Sequence, residues 1–247
     1  MRDRLLGNID YAAALQDLRG RPVNYDPAEV RPPQWRFDVH RHPIARERPG
    51  PPEPSGAWEL ACALVRDYEF TPPELIRAVY QRRDPLLGRD MLLEARFYGL
   101  RFYLGVRITE ITDEVRAGER VWGWSYQSLL RHFERGKVTY TVVKHLDTGE
   151  VEFVASCQSQ LAPTLGPVMR LGWLLFGRRT QLRFYRRCGQ QLQRLVQATL
   201  IGDRDTPAAS HWSVRPRSSS PRVAAAAATA AQMAKIAVKA PNALHCT

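Results

Sequence analysis

Residues 138–157 read VTYTVVKHLDTGEVEFVASC. Two β-rich runs, Val138 to Leu146 and Val151 to Cys157, flank Asp147-Thr148-Gly149-Glu150, a compact hairpin signal. In the second run Val151, Phe153, Ala155 and Cys157 recur at every other position, so they share one sheet face. The stretch is an antiparallel hairpin with one buried side.

Working outward toward the N-terminus, Gly136 introduces the first of these strands. Arg116-Ala117-Gly118-Glu119 turns the chain from Phe102–Thr112 into Val121–Tyr126, and Met91–Phe97 precedes them. Further upstream, Leu60, Cys62 and Leu64 fit a strand over Trp58–Phe70. Thr71-Pro72-Pro73-Glu74 has the form of a helix start, with Thr as cap, Pro in the first turn and Glu closing a capping box. Leu75, Ile76, Val79 and Tyr80 would give that helix one apolar face, ended by Asp84, Pro85 and Gly88. Toward the C-terminus the period changes from Gly166 to about Leu200. Phe184, Cys188, Leu192, Leu195 and Val196 follow helical spacing there, with Arg183, Arg186, Arg187 and Arg194 opposite. The expected fold is α+β of helix-grip type: a curved antiparallel sheet of about six strands packed on a long C-terminal helix.

That domain is expected over residues 57–202. Residues 1–56 form a Pro/Arg-rich arm, expected to be partly ordered. Prolines at nine positions between 22 and 54 exclude helix and central strand. Tyr25, Trp35 and Phe37 are large enough to dock on the domain, whereas residues 46–56 have the composition of a disordered tether. Residues 203–247 are an Ala-rich low-complexity tail with almost no apolar stripe, expected to be disordered.

The formal charge of +11 would ordinarily point to nucleic acid or an anionic membrane as partner. Here the excess is almost all arginine; lysine occurs only at Lys137, Lys144, Lys235 and Lys239. With abundant Ala and Pro, this fits the codon bias of a GC-rich genome. Cys62, Cys157, Cys188 and Cys246 stand far apart with no C-x-x-C pair, which argues against a zinc site or a disulfide framework. They suit a reducing compartment. With no apolar run after Met1-Arg2-Asp3-Arg4, a cytoplasmic location is expected. Phosphate loops, dinucleotide glycine patterns, nucleophile elbows and metal-ligand sets are missing from the sequence, so no metal and no cofactor is expected.

The stretch FYLGVRITEITDEVRAGERVWGWSYQSLLRHFERGKVTYTVVKHLDTGEVEF, Phe102 to Phe153, resembles the bacterial and plant family catalogued as domain of unknown function nineteen-ninety. LGPVMRLGWLLFGRRTQLRFYRRC, residues 165–188, resembles it too. The resemblance implies the START-like helix-grip superfamily. The family pattern Tyr-x-Thr-Leu-x-Gly-His-x-Glu-x-Gly is matched at Tyr126, Leu129, His132, Glu134 and Gly136, with Ser128 in place of Thr and Arg131 in place of Gly. It implies no reaction.

Three constellations carry functional expectations. Trp122, Trp124 and Tyr126 alternate on one strand and, with Tyr140 and Phe153, would line a cavity for a flat apolar ligand, or else simply fill an aromatic core. His132 and Glu134, with Tyr126 nearby, are candidates for general acid or base work at the cavity mouth, or for a turn held by local hydrogen bonds. Arg179, Arg183, Arg186 and Arg187 are candidates for anion binding, unless they pair with Asp113, Glu114 or Glu119. The leading expectation is a binding module for a small hydrophobic or amphipathic molecule rather than an enzyme. The alternatives are a cyclase- or hydrolase-type enzyme using His132 and Glu134, and an interaction protein docking on anionic membrane or nucleic acid.

Overall fold

A computed structural model describes residues 9–97, 100–163, 166 and 178–202. The Ala-rich tail, residues 167–177 of the expected C-terminal helix and the side chain of Arg179 lie outside the described residues.

Seven strands form one antiparallel sheet: β1 (Arg36–Arg46), β2 (Ile76–Val79), β3 (Asp90–Phe97), β4 (Leu100–Arg116), β5 (Glu119–Ser128), β6 (Glu134–His145) and β7 (Glu150–Leu161). Their spatial order is β1-β7-β6-β5-β4-β3-β2, so β2 to β7 form a meander and β1 closes onto the last strand. Bulges at Pro43/Ala45 in β1 and Ile108/Glu110 in β4 bend the sheet. The concave face grips two helices, α2 (Ala57–Arg66) and α3 (Arg178–Ile201). α2 packs on β5 and β6, while α3 lies along β1 and touches α2. The short α1 (Tyr11–Leu18), capped by the Asp10 carboxylate, covers the opposite face of β3, where Leu15 and Leu18 meet Leu92 and Leu129.

The helix-grip class is as expected, but two elements exchange identity. The expected strand at Trp58–Phe70 is mostly α2. Its buried residues Trp58, Ala61, Cys62 and Val65 run at i, i+3, i+4 and i+7, a helical stripe, whereas the alternating Leu60 and Leu64 are less buried. Glu59 in the first turn and Arg66 in the last complement the helix dipole. Conversely, the expected helix after Thr71 makes a single turn, with the Leu75 and Ile76 N–H groups reaching Pro72 O at 2.9 and 3.1 Å. The Thr71 hydroxyl donates to Tyr68 O and Ile76 O instead of capping. β-branched Ile76 and Val79 then pair with Ala95 and Leu92 of β3.

The proline-rich segment supplies an edge strand. β1 pairs with β7 along ten positions, with Pro43 at the bulge, where a missing N–H does least harm. Before it, Tyr25 and Trp35 are buried against each other with ring centroids 5.1 Å apart, whereas Phe37 is 52% exposed. Residues 46–56, read as a tether from composition, are held by a buried ion pair between Glu47 and Lys144 of β6 at 2.6 Å.

Candidate functional site

Period-two geometry sets the concave face. On β5 it presents Trp122, Trp124 and Tyr126; on β6 Glu134, Val138 and Tyr140; on β7 Phe153 and Cys157; and on β1, through register with β7, Arg36, Asp38 and His40. All five expected ligand-lining residues therefore share one side of the sheet. α2 covers the far end of this wall. Arg66 lies over the Trp122 ring at 5.1 Å, and Trp124 Nε1 donates to Val65 O at 3.1 Å. Trp124, Tyr140 and Phe153 are fully buried among Tyr68 and Phe70, with Phe70 edge-on to Tyr140 at 4.7 Å.

Toward the other end the wall becomes polar. The hydroxyls of Tyr68 and Tyr140 are buried. They lie within reach of each other and of the Tyr126 hydroxyl, and the three phenols influence one another's ionisation. From α3, Tyr185 stacks on His40 with centroids 4.7 Å apart, and Cys188 sits one turn further along. Burial raises the pKa of all four phenols and of Cys188, so these groups keep their protons. It also pushes the Cys157 thiol to about 11. Beyond them the concave side chains Phe102, Tyr126, Phe133 and Val138 stay partly accessible, forming the mouth. Tyr68, Tyr185, Arg36 and Asp38 escape the sequence reading. Tyr68 fell in the misassigned strand, Arg36 and Asp38 in the arm, and only the helical spacing from Phe184 to Cys188 hinted at Tyr185.

His132 lies on the tight β5–β6 connection and Glu134 opens β6, but their functional atoms part. His132 Nδ1 accepts the Glu134 backbone N–H at 3.0 Å, so the ring proton rests on Nε2. Burial pulls this imidazole down to about 4, leaving it neutral. The Glu134 carboxyl instead turns toward Arg36 and Asp38. Burial raises it to about 8, with Arg36 opposing and Asp38 adding to the rise. At neutral pH it is a carboxylic acid. Arg131, standing where the family pattern has glycine, adopts φ of 77°, the left-handed conformation glycine favours. Ser128 is a structural hydroxyl: it accepts the Gly136 N–H at 2.8 Å and donates to Asn24 Oδ1 at 2.8 Å. Asn24 also donates to Glu134 O at 3.0 Å, so the N-terminal arm clamps this loop.

The Glu134 proton has a thermodynamic signature. The folded chain retains a proton that the unfolded chain releases near the ordinary carboxyl value of 4.5, so stability falls as pH rises from about 4.5 to about 8. Glu134→Gln, neutral in both states, is expected to match the parent near pH 4 and to exceed it at pH 8 by about 10 °C in Tm. Thermal unfolding followed by circular dichroism across that range checks this; parallel curves at all pH values would show that Glu134 is ionised in the fold.

Of the arginine helix, Arg183 and Arg186 are exposed, and Arg187 pairs with Glu74 at 3.1 Å. The carboxylates expected to neutralise this face are engaged elsewhere: Asp113 with Arg120, Glu114 with Arg116 and Glu119 with His145. Among the described residues no cluster of His, Cys, Asp and Glu could hold a metal ion. None of the described helices is long and apolar enough to cross a membrane.

A curved antiparallel sheet closed by a long C-terminal helix over an aromatic interior defines a helix-grip domain. The model of the family described as Domain of unknown function (DUF1990) matches residues 21–191, a span that takes in β1. The chain belongs to this family. No curated protein matches the sequence. Among solved structures, the chain is similar to Ara h 8.0201, with 12% identity and a TM-score of 0.38 over 66% of this chain and 99% of that one. It is similar to the hypothetical protein jhp0584 from Helicobacter pylori, with 11% identity and a TM-score of 0.42 over 69% and 94%. A norcoclaurine synthase point mutant from Thalictrum flavum, in complex with a transition-state analogue, gives 10% identity and a TM-score of 0.42 over 67% and 96%.

Proposed function

We propose that the domain is a cytoplasmic binding module that holds a small apolar or amphipathic molecule between the concave face of the sheet and α3. The observation that supports this best is the aromatic concave wall, with the buried phenol hydroxyls of Tyr68 and Tyr140 set inside it. They lie at the inner end of a wall whose outer side chains, Phe102, Tyr126, Phe133 and Val138, remain partly accessible. An apolar wall with a few convergent polar groups is the usual form of a small-molecule site. Three buried free cysteines, Cys62, Cys157 and Cys188, favour the reducing cytoplasm.

Catalysis at this site would fall to Glu134, whose protonated carboxyl suits a general acid. His132 would then act only as a positioning residue, through the Glu134 N–H.

Native mass spectrometry of protein purified gently from its source tests the binding reading. A reproducible extra mass, absent from the denatured chain, is expected. A bare chain, together with no change in Tm on adding lipid extract from the same cells, would overturn it.

A further inference from the structure

We infer that the outer edge of β1, with the arginine strip of α3 beside it, docks an extended acidic segment of a partner protein, which joins the sheet as a further strand. β7 pairs one side of β1, and no described strand pairs the other. The run from Arg36 to His42 keeps regular register with β7 until the bulge at Pro43. A regular edge of this kind presents backbone donors and acceptors in the spacing that templates another chain. Its convex-face side chains do little to blunt it. Phe37 is 52% and Val39 63% exposed, and the next residue on that face, Arg41, is held by Glu152. Two exposed apolar side chains on an edge strand are what a docked strand would cover.

The charge beside this edge selects the occupant. On the concave side of β1, Tyr185, Gly189 and Gln193 of α3 meet His40 and His42. At about 100° per residue, the positions that turn from this contact line toward solvent are Arg186, Gln190 and Arg183. Both arginines are exposed. Among the described side chains of α3 only Arg187 has a carboxylate partner, Glu74, and the helix carries no acid of its own. A second copy pairing edge to edge would bring two such strips together with no acid between them, and like charges facing each other oppose that contact. An acidic strand neutralises the strip instead. Because a strand sends alternate side chains to opposite faces, the partner is expected to set apolar residues beside Phe37 and Val39 and carboxylates toward Arg183 and Arg186 at every other position.

Three labelled octapeptides test this on the full chain by fluorescence anisotropy: one alternating glutamate and valine, one alternating lysine and valine, and one with all its glutamates followed by all its valines. The alternating acidic peptide is expected to bind about tenfold tighter than either of the others, and to lose about tenfold between roughly 50 and 500 mM salt. Phe37→Ser/Val39→Ser and Arg183→Glu/Arg186→Glu should each weaken it about fivefold or more. Both variants should keep Tm within about 2 °C of the parent, because all four positions are exposed. No binding, equal binding of the three peptides, or an affinity that neither variant changes would overturn the proposal. A dimer in sedimentation velocity that Phe37→Ser/Val39→Ser abolishes would also overturn it, making a second copy the occupant. So would binding to phosphatidylglycerol vesicles that only Arg183→Glu/Arg186→Glu abolishes, in the absence of peptide binding, since the strip would then belong to a membrane contact.

Discussion

Replacing Lys144 by methionine is expected to destabilise the domain by about 3–5 kcal/mol, the usual consequence of removing one member of a buried ion pair. The Lys144 ammonium is fully buried and reaches Glu47 Oε2 at 2.6 Å and Pro51 O at 2.9 Å. Glu47 spends its other bonds on backbone. Its Oε1 accepts the Trp58 N–H at 2.8 Å, and its Oε2 accepts the Glu53 N–H at 3.2 Å. The Trp58 N–H belongs to the first turn of α2, whose Gly56 cap offers no side chain, so the Glu47 carboxylate takes the capping role and meets the positive end of the helix. Without Lys144 that carboxylate stays buried with no countercharge.

The double variant Glu47→Leu/Lys144→Met sharpens the expectation. Removing both charges should recover most of the loss, because the desolvation of two ions disappears with them. Recovery should stay incomplete, since the Trp58 and Glu53 N–H groups lose their acceptor. Urea unfolding of the parent, both single variants and the double variant gives the coupling energy directly. A Lys144→Met loss below about 1 kcal/mol, typical of an exposed pair, would mean that the segment from Glu47 to Gly56 opens to water in solution.

This pair also marks what the sequence could and could not disclose. The hairpin at residues 138–157, the strands around it and the apolar stripe of α3 are legible because each rests on local periodicity and turn chemistry. Glu47 and Lys144 are 97 positions apart. Nothing near either residue says that it is buried, and a run of prolines with a few charges has the composition of a tether. β1 was obscured for the same reason: an edge strand tolerates proline, so its pairing with β7 leaves no local trace. The exchange of strand and helix between Trp58 and Val79 arose differently. Leu60, Cys62 and Leu64 satisfy period two while Trp58, Ala61, Cys62 and Val65 satisfy period 3.6, and only the tertiary contact of α2 with β5 and β6 decides between them. At the site, Trp122, Trp124, Tyr126, Tyr140 and Phe153 could be placed on one face from alternation alone. Tyr68 and Tyr185 could not, because both come from other elements that meet the sheet only in three dimensions.

The second large effect is expected where α3 meets β1. Gly189 lies against His42, and a Cβ added there would come within 2.5 Å of His42 Cβ and 2.4 Å of its Cγ. These atoms adjoin the strand backbone, so a rotation of the imidazole, which bonds Gln193 at 3.2 Å, cannot clear the space. Helix propensity alone favours alanine over glycine by about 1 kcal/mol. Gly189→Ala is nonetheless expected to lose about 2 kcal/mol net, because overpacking forces α3 away from the edge strand. His42→Ala should not rescue it, since the obstructing Cβ remains. The displacement also reaches the site: Tyr185, one helical turn earlier on the same face, stacks on His40 with centroids 4.7 Å apart and would be drawn off. Gly189→Ala should therefore lower both the urea midpoint and the affinity for an aromatic probe. If stability rises by the propensity gain and binding is unchanged, α3 does not approach β1 this closely, and the grip on the interior must come from α2 and the sheet alone.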